Sequence, residues 1–205
     1  KYSLVINLYA NETEADYARE GIAWSYFRQN QYKRALDLYS AIKNSKNPKV
    51  RSVSYLRIAQ CYYNIKDFTG AVKYLTVFTG EYADSPYYID GVYLLAKTYY
   101  NIQKYENAVE FYIKYYNKVK TDSDRAKALH YIGWSYYKLK IFDKAILYFE
   151  KNIQMETKDN TAWNSILTCA KIYYNNKNYD KAKEIYIYII NSKDSISDKT
   201  VVQNA

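Results

Sequence analysis

A period constrains this chain more than any other feature of its sequence. An alanine recurs as Ala35, Ala71, Ala108, Ala145 and Ala182, spaced by 36 and then three times by 37 residues. Three residues before each stands an aromatic: Tyr32, Phe68, Tyr105, Phe142 and Tyr179. Twelve before is a small residue (Ala23, Ala59, Ala96, Gly133, Ala170), and nine before is a tyrosine (Tyr26, Tyr62, Tyr99, Tyr136, Tyr173). The stretch Leu129–Phe149 shows what one period encodes. Leu129, Ile132, Gly133 and Tyr136 take the i, i+3, i+4, i+7 spacing of one helical face. After Lys138-Leu139-Lys140 the pattern restarts with Phe142, Ala145, Ile146 and Phe149. The spacing predicts two short helices folded back on each other. Gly133 and Ala145 let their backbones approach towards the short end of the roughly 8–10 Å interaxial range. Helices below about 12–15 residues are marginal alone in water, so each hairpin has to stack on copies of itself.

These columns resemble the tetratricopeptide repeat, with its large–large–small–aromatic first helix and its small and aromatic anchors on the second. The opening large residue is Tyr55, Val92, Leu129 or Ile166, with Arg19 as a departure in the first copy. The closing large residue is Tyr39, Leu75, Tyr112, Phe149 or Tyr186. The resemblance implies an all-α fold, a right-handed superhelical solenoid of antiparallel helix pairs. Five repeats are expected at 12–46, 47–83, 84–120, 121–157 and 158–193. Tyr2 and Val5 stand in register with Tyr39 and Ile42, so residues 1–10 are expected to be the second helix of a preceding repeat. Residues 194–205 read as a polar tail or the start of a next helix, Thr200-Val201-Val202 falling where that helix would begin. Helix starts are expected at Asn11-Glu12-Thr13-Glu14, after Asn47-Pro48, at Thr121 to Asp124 and at Asp159-Asn160-Thr161. Another is expected at Asp84-Ser85-Pro86, with proline at the first helical position. Glu81 to Pro86-Tyr87 is also similar to the Y-P-x-S-P-Y junction of bacterial cell-envelope tetratricopeptide proteins, with alanine in place of the first proline. Those proteins include outer-membrane-assembly lipoproteins and Tol–Pal coordinators, so the likeness implies a bacterial periplasm or cell envelope rather than cytoplasm.

Composition narrows the chemistry. The 29 tyrosines suit half-buried positions where a ring packs and its hydroxyl reaches water or a partner. No apolar run approaches the roughly 18 residues of a membrane span, so no direct membrane insertion is expected, and Lys1 opens no signal-peptide pattern. Cys61 and Cys169 lie in the second and fifth repeats, with two repeats between them, and read as reduced structural thiols. His130 has no second histidine for a metal pair, no cysteine has metal-ligand spacing, and no glycine run cradles phosphate. Asp122 and Asp124 form a carboxylate pair, but in a helix start, where they cap. A non-enzyme without cofactor or metal is expected.

Function is then expected on the open face of the first helices, which the resemblance places in a concave groove. Carried over by column, the partner-binding residues are Trp24, Phe27 and Arg28 in the first repeat, and Arg57, Gln60 and Tyr63 in the second. Tyr93, Lys97 and Tyr100 follow in the third, His130, Tyr131, Trp134 and Tyr137 in the fourth, and Lys171 and Tyr174 in the fifth. Glu20, Asn64 and Lys138 share that face. The column Phe27, Tyr63, Tyr100, Tyr137, Tyr174 is aromatic throughout, and it reads equally as packing between repeats. Such a face suits an acidic and aromatic protein or peptide within a multiprotein assembly. The carboxylate clamp of chaperone-type repeats is not expected, because Glu20, Trp24, Leu56 and Tyr93 interrupt its positions. One alternative is a structural spacer or rod in a large envelope machine, such as a flagellar motor or secretion apparatus. Another is single-stranded RNA, given the net charge of +9 and the eight bases against three acids from Tyr112 to Lys144. Against RNA, the column that reads bases in pentatricopeptide repeats holds Glu20, Leu56, Tyr93, His130 and Leu167, which is no polar code.

Overall fold

The computed structural model of the chain describes residues 13–155, 160–192 and 203, and every extended element within them is an α-helix. The expected helix of residues 1–10, the starts at Asn11-Glu12 and at Asp159, and the tail 194–205 apart from Gln203 lie outside the described residues. The helices are α1 (Thr13–Arg28), α2 (Tyr32–Ile42), α3 (Pro48–Asn64), α4 (Phe68–Glu81) and α5 (Tyr88–Asn101). They continue as α6 (Tyr105–Lys118), α7 (Asp122–Lys138), α8 (Phe142–Ile153), α9 (Asn160–Asn175) and α10 (Tyr179–Asn191). Two compact units divide the chain, residues 1–103 with α1 to α5 and residues 104–205 with α6 to α10. In unit 1, α1 pairs with α2 and α3 with α4, and α2–α3 and α4–α5 contacts stack one pair on the next. In unit 2, α7 pairs with α8 and α9 with α10, with α6 against α7 and α8 against α9. The fold is all-α, an array of sequential helix pairs.

The periodic columns become the core. Every alanine of the second-helix column is buried, from Ala35 to Ala182, and so is every residue of the small first-helix column. A second small column runs through Ala18, Ser54, Gly91, Ala128 and Ser165, one place before the opening large residue, and it too is buried throughout. Steric need explains the small side chains. A methyl group added at Gly133 would sit 2.5 Å from the Phe149 ring, and one at Gly91 would meet the ring of Phe78. The closing rings Tyr39, Tyr112 and Phe149 are fully buried because the facing helix leaves that room.

Each turn between the two helices of a hairpin ends the first helix the same way. Asn30, Lys66, Gln103, Lys140 and Lys177, again at the 36- and 37-residue spacing, have φ between 59° and 65°. After Asn30, Lys66, Lys140 and Lys177 the next residue donates its N–H five residues back, as in Gln31 to Tyr26 at 2.9 Å and Ile141 to Tyr136 at 3.0 Å. The positive-φ residue itself donates three back, as Lys66 does to Tyr63 at 3.0 Å. This is the Schellman arrangement, which usually employs glycine because a side chain at positive φ costs about 1–2 kcal/mol.

Helix starts show one confirmation and one correction. Asn47 caps α3 through its side chain, accepting from the N–H of Lys49 at 2.9 Å and of Val50 at 3.3 Å, with Pro48 as first helical residue. The same device is not used at Asp84-Ser85-Pro86. There α5 begins at Tyr88, Tyr87 provides no side-chain cap, and Tyr88 N–H closes a turn onto Ser85 C=O at 2.9 Å. Pro86 therefore sits inside that turn rather than at the head of the helix. Arg19, the departure in the opening column, turns out to an ion pair with Asp16 at 3.0 Å.

The Gly133–Phe149 contact is directly testable. Gly133→Ala should cost about 1–3 kcal/mol of urea-unfolding stability, the usual range for overpacking. Phe149→Leu added to it recreates the Ala59 and Leu75 combination of the second repeat and should recover part of that loss. Two strictly additive losses would contradict the contact.

Candidate functional site

In unit 1 the open faces of α1, α3 and α5 meet around a recess of about 340 Å³. Phe27 comes from α1, Arg57, Gln60, Tyr63 and Asn64 from α3, and Asp90, Tyr93 and Leu94 from α5. Helical spacing places them there: Arg57, Gln60 and Asn64 follow one another at i+3 and i+4 on a single face. The Arg57 guanidinium lies 4.1 Å from the centroid of the Trp24 ring and donates to Gln60 Oε1 at 2.8 Å. Trp24 is in turn stacked on Phe27 at 5.4 Å with 9° between the planes, and Arg28 lies 5.7 Å from its centroid. A half-buried guanidinium is thus held on an indole face, a geometry worth about 0.5–2 kcal/mol. Asn64 donates to Gln60 C=O at 2.8 Å, and Asn101 donates to the Tyr63 hydroxyl at 3.0 Å. Lys97 stands 5.3 Å from the Tyr63 centroid. Burial pushes the Glu20 carboxyl above its ordinary value, with Arg57 partly offsetting the rise.

Six residues expected on this face from sequence, Phe27, Arg57, Gln60, Tyr63, Asn64 and Tyr93, therefore line one recess. Trp24 lies beneath Arg57, Lys97 approaches from the side, and Arg28 and Tyr100 are not among the lining residues. Asp90 and Leu94 were missed by sequence reasoning. The signal existed, since Asp90 shares a column with Lys127 and Leu94 shares one with Arg57 and Tyr131. Their presence alters the chemistry, because Asp90 and Glu20 temper the cationic character expected of the face.

In unit 2 the named residues of α7 form a chain of rings. His130 lies edge-on to Tyr131 at 5.1 Å and to Trp134 at 6.2 Å, and Trp134 is edge-on to Tyr137 at 5.3 Å. Tyr131 stacks on Tyr112 of α6 at 5.1 Å, and Trp134 packs against the core cluster that contains Phe149. His130 Nδ1 hydrogen-bonds Ser165 Oγ at 2.7 Å, and Ser165 also accepts from the buried Asn152 at 3.3 Å. On α9, Lys171 and Tyr174 are exposed. The aromatic column has a role inside its own hairpins. Phe27, Tyr63, Tyr137 and Tyr174 each pack against the ring that opens the next helix, Tyr32, Phe68, Phe142 and Tyr179, at 5.3–5.8 Å. That contact braces the turn, which accounts for the aromatic at these four copies without a ligand.

Several of the basic residues from Tyr112 to Lys144 are engaged by neighbours. Lys114 lies 5.6 Å from the Phe111 centroid and Lys144 lies 5.3 Å from that of Tyr136. Arg125 and Lys127 pair with Asp122 and Asp124 at 3.6 and 3.3 Å. The carboxylate pair sits in the helix start, as expected, but the capping side chain is Thr121 rather than either aspartate. Thr121 accepts from the Asp124 N–H at 3.1 Å and donates its hydroxyl to Asp124 Oδ2 at 2.7 Å. Burial pushes both cysteine thiols up to about 12, which leaves them protonated and inert near neutral pH. Among the described residues, no group of side chains suits a metal ion and no helix is long and apolar enough to cross a membrane.

Two family models, both described as tetratricopeptide repeat, match more than half of the sequence. One matches residues 17–46, 53–85 and 127–153, and the other matches residues 89–118. The chain belongs to the tetratricopeptide repeat family. No curated protein matches it in sequence. Among solved tetratricopeptide-like structures, MamA from Desulfovibrio magneticus RS-1 is 13% identical with a TM-score of 0.71, covering 89% of this chain and 97% of that one. The apo form of RapI is 16% identical with a TM-score of 0.78, covering 98% of this chain and 61% of RapI. A Rap protein complexed with competence and sporulation factor is 18% identical with a TM-score of 0.57, covering 93% of this chain and 56% of that one. Likeness at these identities is one of fold.

The α7 cap gives a pH signature. The Thr121 hydroxyl, assisted by hydrogen bonds from Tyr115 and Lys127, holds the Asp124 carboxyl below its ordinary value of 3.8. Its contribution to stability is therefore complete above that value and disappears as pH falls through the lower folded value. Asp124→Asn should be less stable than the parent at pH 7, and the gap should close as pH falls well below 3.8. A gap that stays constant across a urea-unfolding series from pH 7 to pH 2 would contradict this.

Proposed function

We propose that this tetratricopeptide array is a non-catalytic scaffold whose first helices hold a protein or peptide partner bearing acidic and aromatic residues. One observation carries the reading: the unit 1 recess, where Arg57 is fixed on Trp24 beside Phe27, Tyr63 and Tyr93. A guanidinium fixed in this way loses little freedom on meeting a carboxylate, and among the described residues it has no ion pair of its own. The half-buried rings beside it supply the apolar contact that dominates binding energy at interfaces. The fold likeness to a Rap protein complexed with competence and sporulation factor supports an array of this kind receiving a partner. The ring chain His130, Tyr131, Trp134 and Tyr137, with Lys171 and Tyr174, is proposed as further contact surface in unit 2. Sequence periodicity supports five repeats at the bounds given above. Placement within an assembly of a bacterial envelope rests on the Glu81–Tyr87 junction alone.

The test is capture of partners by the full chain, with Arg57→Ala and Trp24→Ala beside the parent and circular dichroism verifying that each is folded. A partner should be held by the parent and weakened about 30-fold or more by each variant, the effect of a hot-spot loss near 2 kcal/mol. Equal retention by both folded variants would remove the recess from the account.

A further inference from the structure

The three hairpins whose outer grooves lie wholly within one unit treat the same position differently. In unit 1, α3 packs against both α2 and α4, and Tyr74 of α4 lies over it. Its ring stacks on Tyr62 at 5.6 Å and tilts against Tyr55 at 5.8 Å, both on α3. Lys43, just past the end of α2, and Lys73 of α4 lie 6.0 and 5.9 Å from its centroid. In unit 2, Tyr148 of α8 takes the equivalent place over α7. It stacks on Tyr136 at 5.6 Å, and Lys151 lies 5.3 Å from its centroid. One repeat later the residue in this column is Ile185, and the space is open. It forms a cavity of about 470 Å³ among α8, α9 and α10, walled by the apolar Ile153, Ile166 and Ile185, by the rings of Tyr173 and Tyr188, and by the polar Gln154, Glu150, Glu184 and Lys181.

The open groove has two acids and one cation, Lys181, in its wall, where the filled groove of unit 1 has two lysines over its ring. Lys73 precedes Tyr74 in unit 1, whereas Glu184 precedes Ile185. Glu150 accepts a hydrogen bond from the Tyr173 hydroxyl at 2.6 Å, and Lys181 lies 5.1 Å from the Tyr173 centroid. Among the described residues neither Glu150 nor Glu184 has an ion pair. The grooves under Tyr74 and Tyr148 thus carry their own aromatic ring with lysine beside it, and this one offers a cavity large enough for a ring, with two carboxylates against one lysine at its wall. We propose that the α8–α9–α10 groove receives an aromatic side chain flanked by lysine or arginine, inserted by a partner protein. The ring replaces what Tyr74 and Tyr148 supply from within, and the flanking cation meets Glu184 and Glu150. The adjoining segments 156–159 and 193–205 contain no aromatic residue, so neither provides the ring. This groove is separate from the unit 1 recess and stands or falls independently of it.

The experiment uses the full chain with isoleucine methyls labelled for NMR. The probe is an acetylated, amidated heptapeptide Ala-Val-Lys-Tyr-Leu-Thr-Val, which copies residues 71–77. Ring-current shifts should appear at Ile153, Ile166 and Ile185 and saturate with peptide concentration. They should vanish when alanine stands in place of the peptide's tyrosine. Ile185→Tyr fills the groove from within and should abolish the shifts at Ile153 and Ile166. Glu184→Lys, a change at an exposed position, should weaken binding at least tenfold. The proposal is overturned by no shift at these methyls with millimolar peptide, or by equal shifts from the alanine peptide. Binding undiminished by both protein variants overturns it as well.

Discussion

The structure depends on a steric constraint repeated at each hairpin: a large side chain from the second helix fills room that a small residue on the first helix leaves. Phe149 over Gly133 is its sharpest form, since even a methyl group there would lie 2.5 Å from the ring. Close approach matters because neither helix of a pair is stable alone. The pair is stabilised by the area buried when its faces meet, and packing at that density tolerates little extra volume. Each hairpin then exposes a second apolar face, which the next hairpin covers, and the period follows from that requirement.

The same geometry leaves other columns for contact. In unit 1 the recess residues Arg57, Gln60 and Asn64 occupy the side of α3 facing away from α4, where no core contact fixes their identity. The recognition role proposed for Arg57 on Trp24 rests on that placement. Tyr74 and Tyr148 show a different economy, because rings with lysines over them cover the outer grooves and finish the surface. Where Ile185 interrupts that pattern, a cavity appears with carboxylates at its wall.

Much of this was legible in the sequence. Alanine, tyrosine and aromatic columns carry the fold because a steric rule restricts them to a few residue types, and that restriction shows as periodicity. The face residues could be named by column, although Asp90 and Leu94 escaped because their columns vary in chemistry. The turn residues left no such trace. Asn30, Lys66, Gln103, Lys140 and Lys177 share a positive φ but no side-chain type, since backbone hydrogen bonds rather than glycine hold them there. Pro86 misled because a serine–proline pair suits a turn as well as a helix start, and only the backbone decides between them. Asn152 was equally silent. It falls in the buried column of Ile42, Phe78, Tyr115 and Ile189, and only the structure shows its amide donating to Ser165 across the α8–α9 contact.

The central claim is that buried small columns hold the array together while the open face is free for a partner. Urea unfolding of Ala145→Leu beside Lys138→Ala, both in the fourth repeat, tests it most directly. Ala145 is fully buried, and enlarging it should cost at least about 1–3 kcal/mol. Lys138 is exposed at the end of α7, and its loss should stay within about 0.5 kcal/mol. Comparable losses from the two changes would contradict the separation of fold and contact on which the account rests.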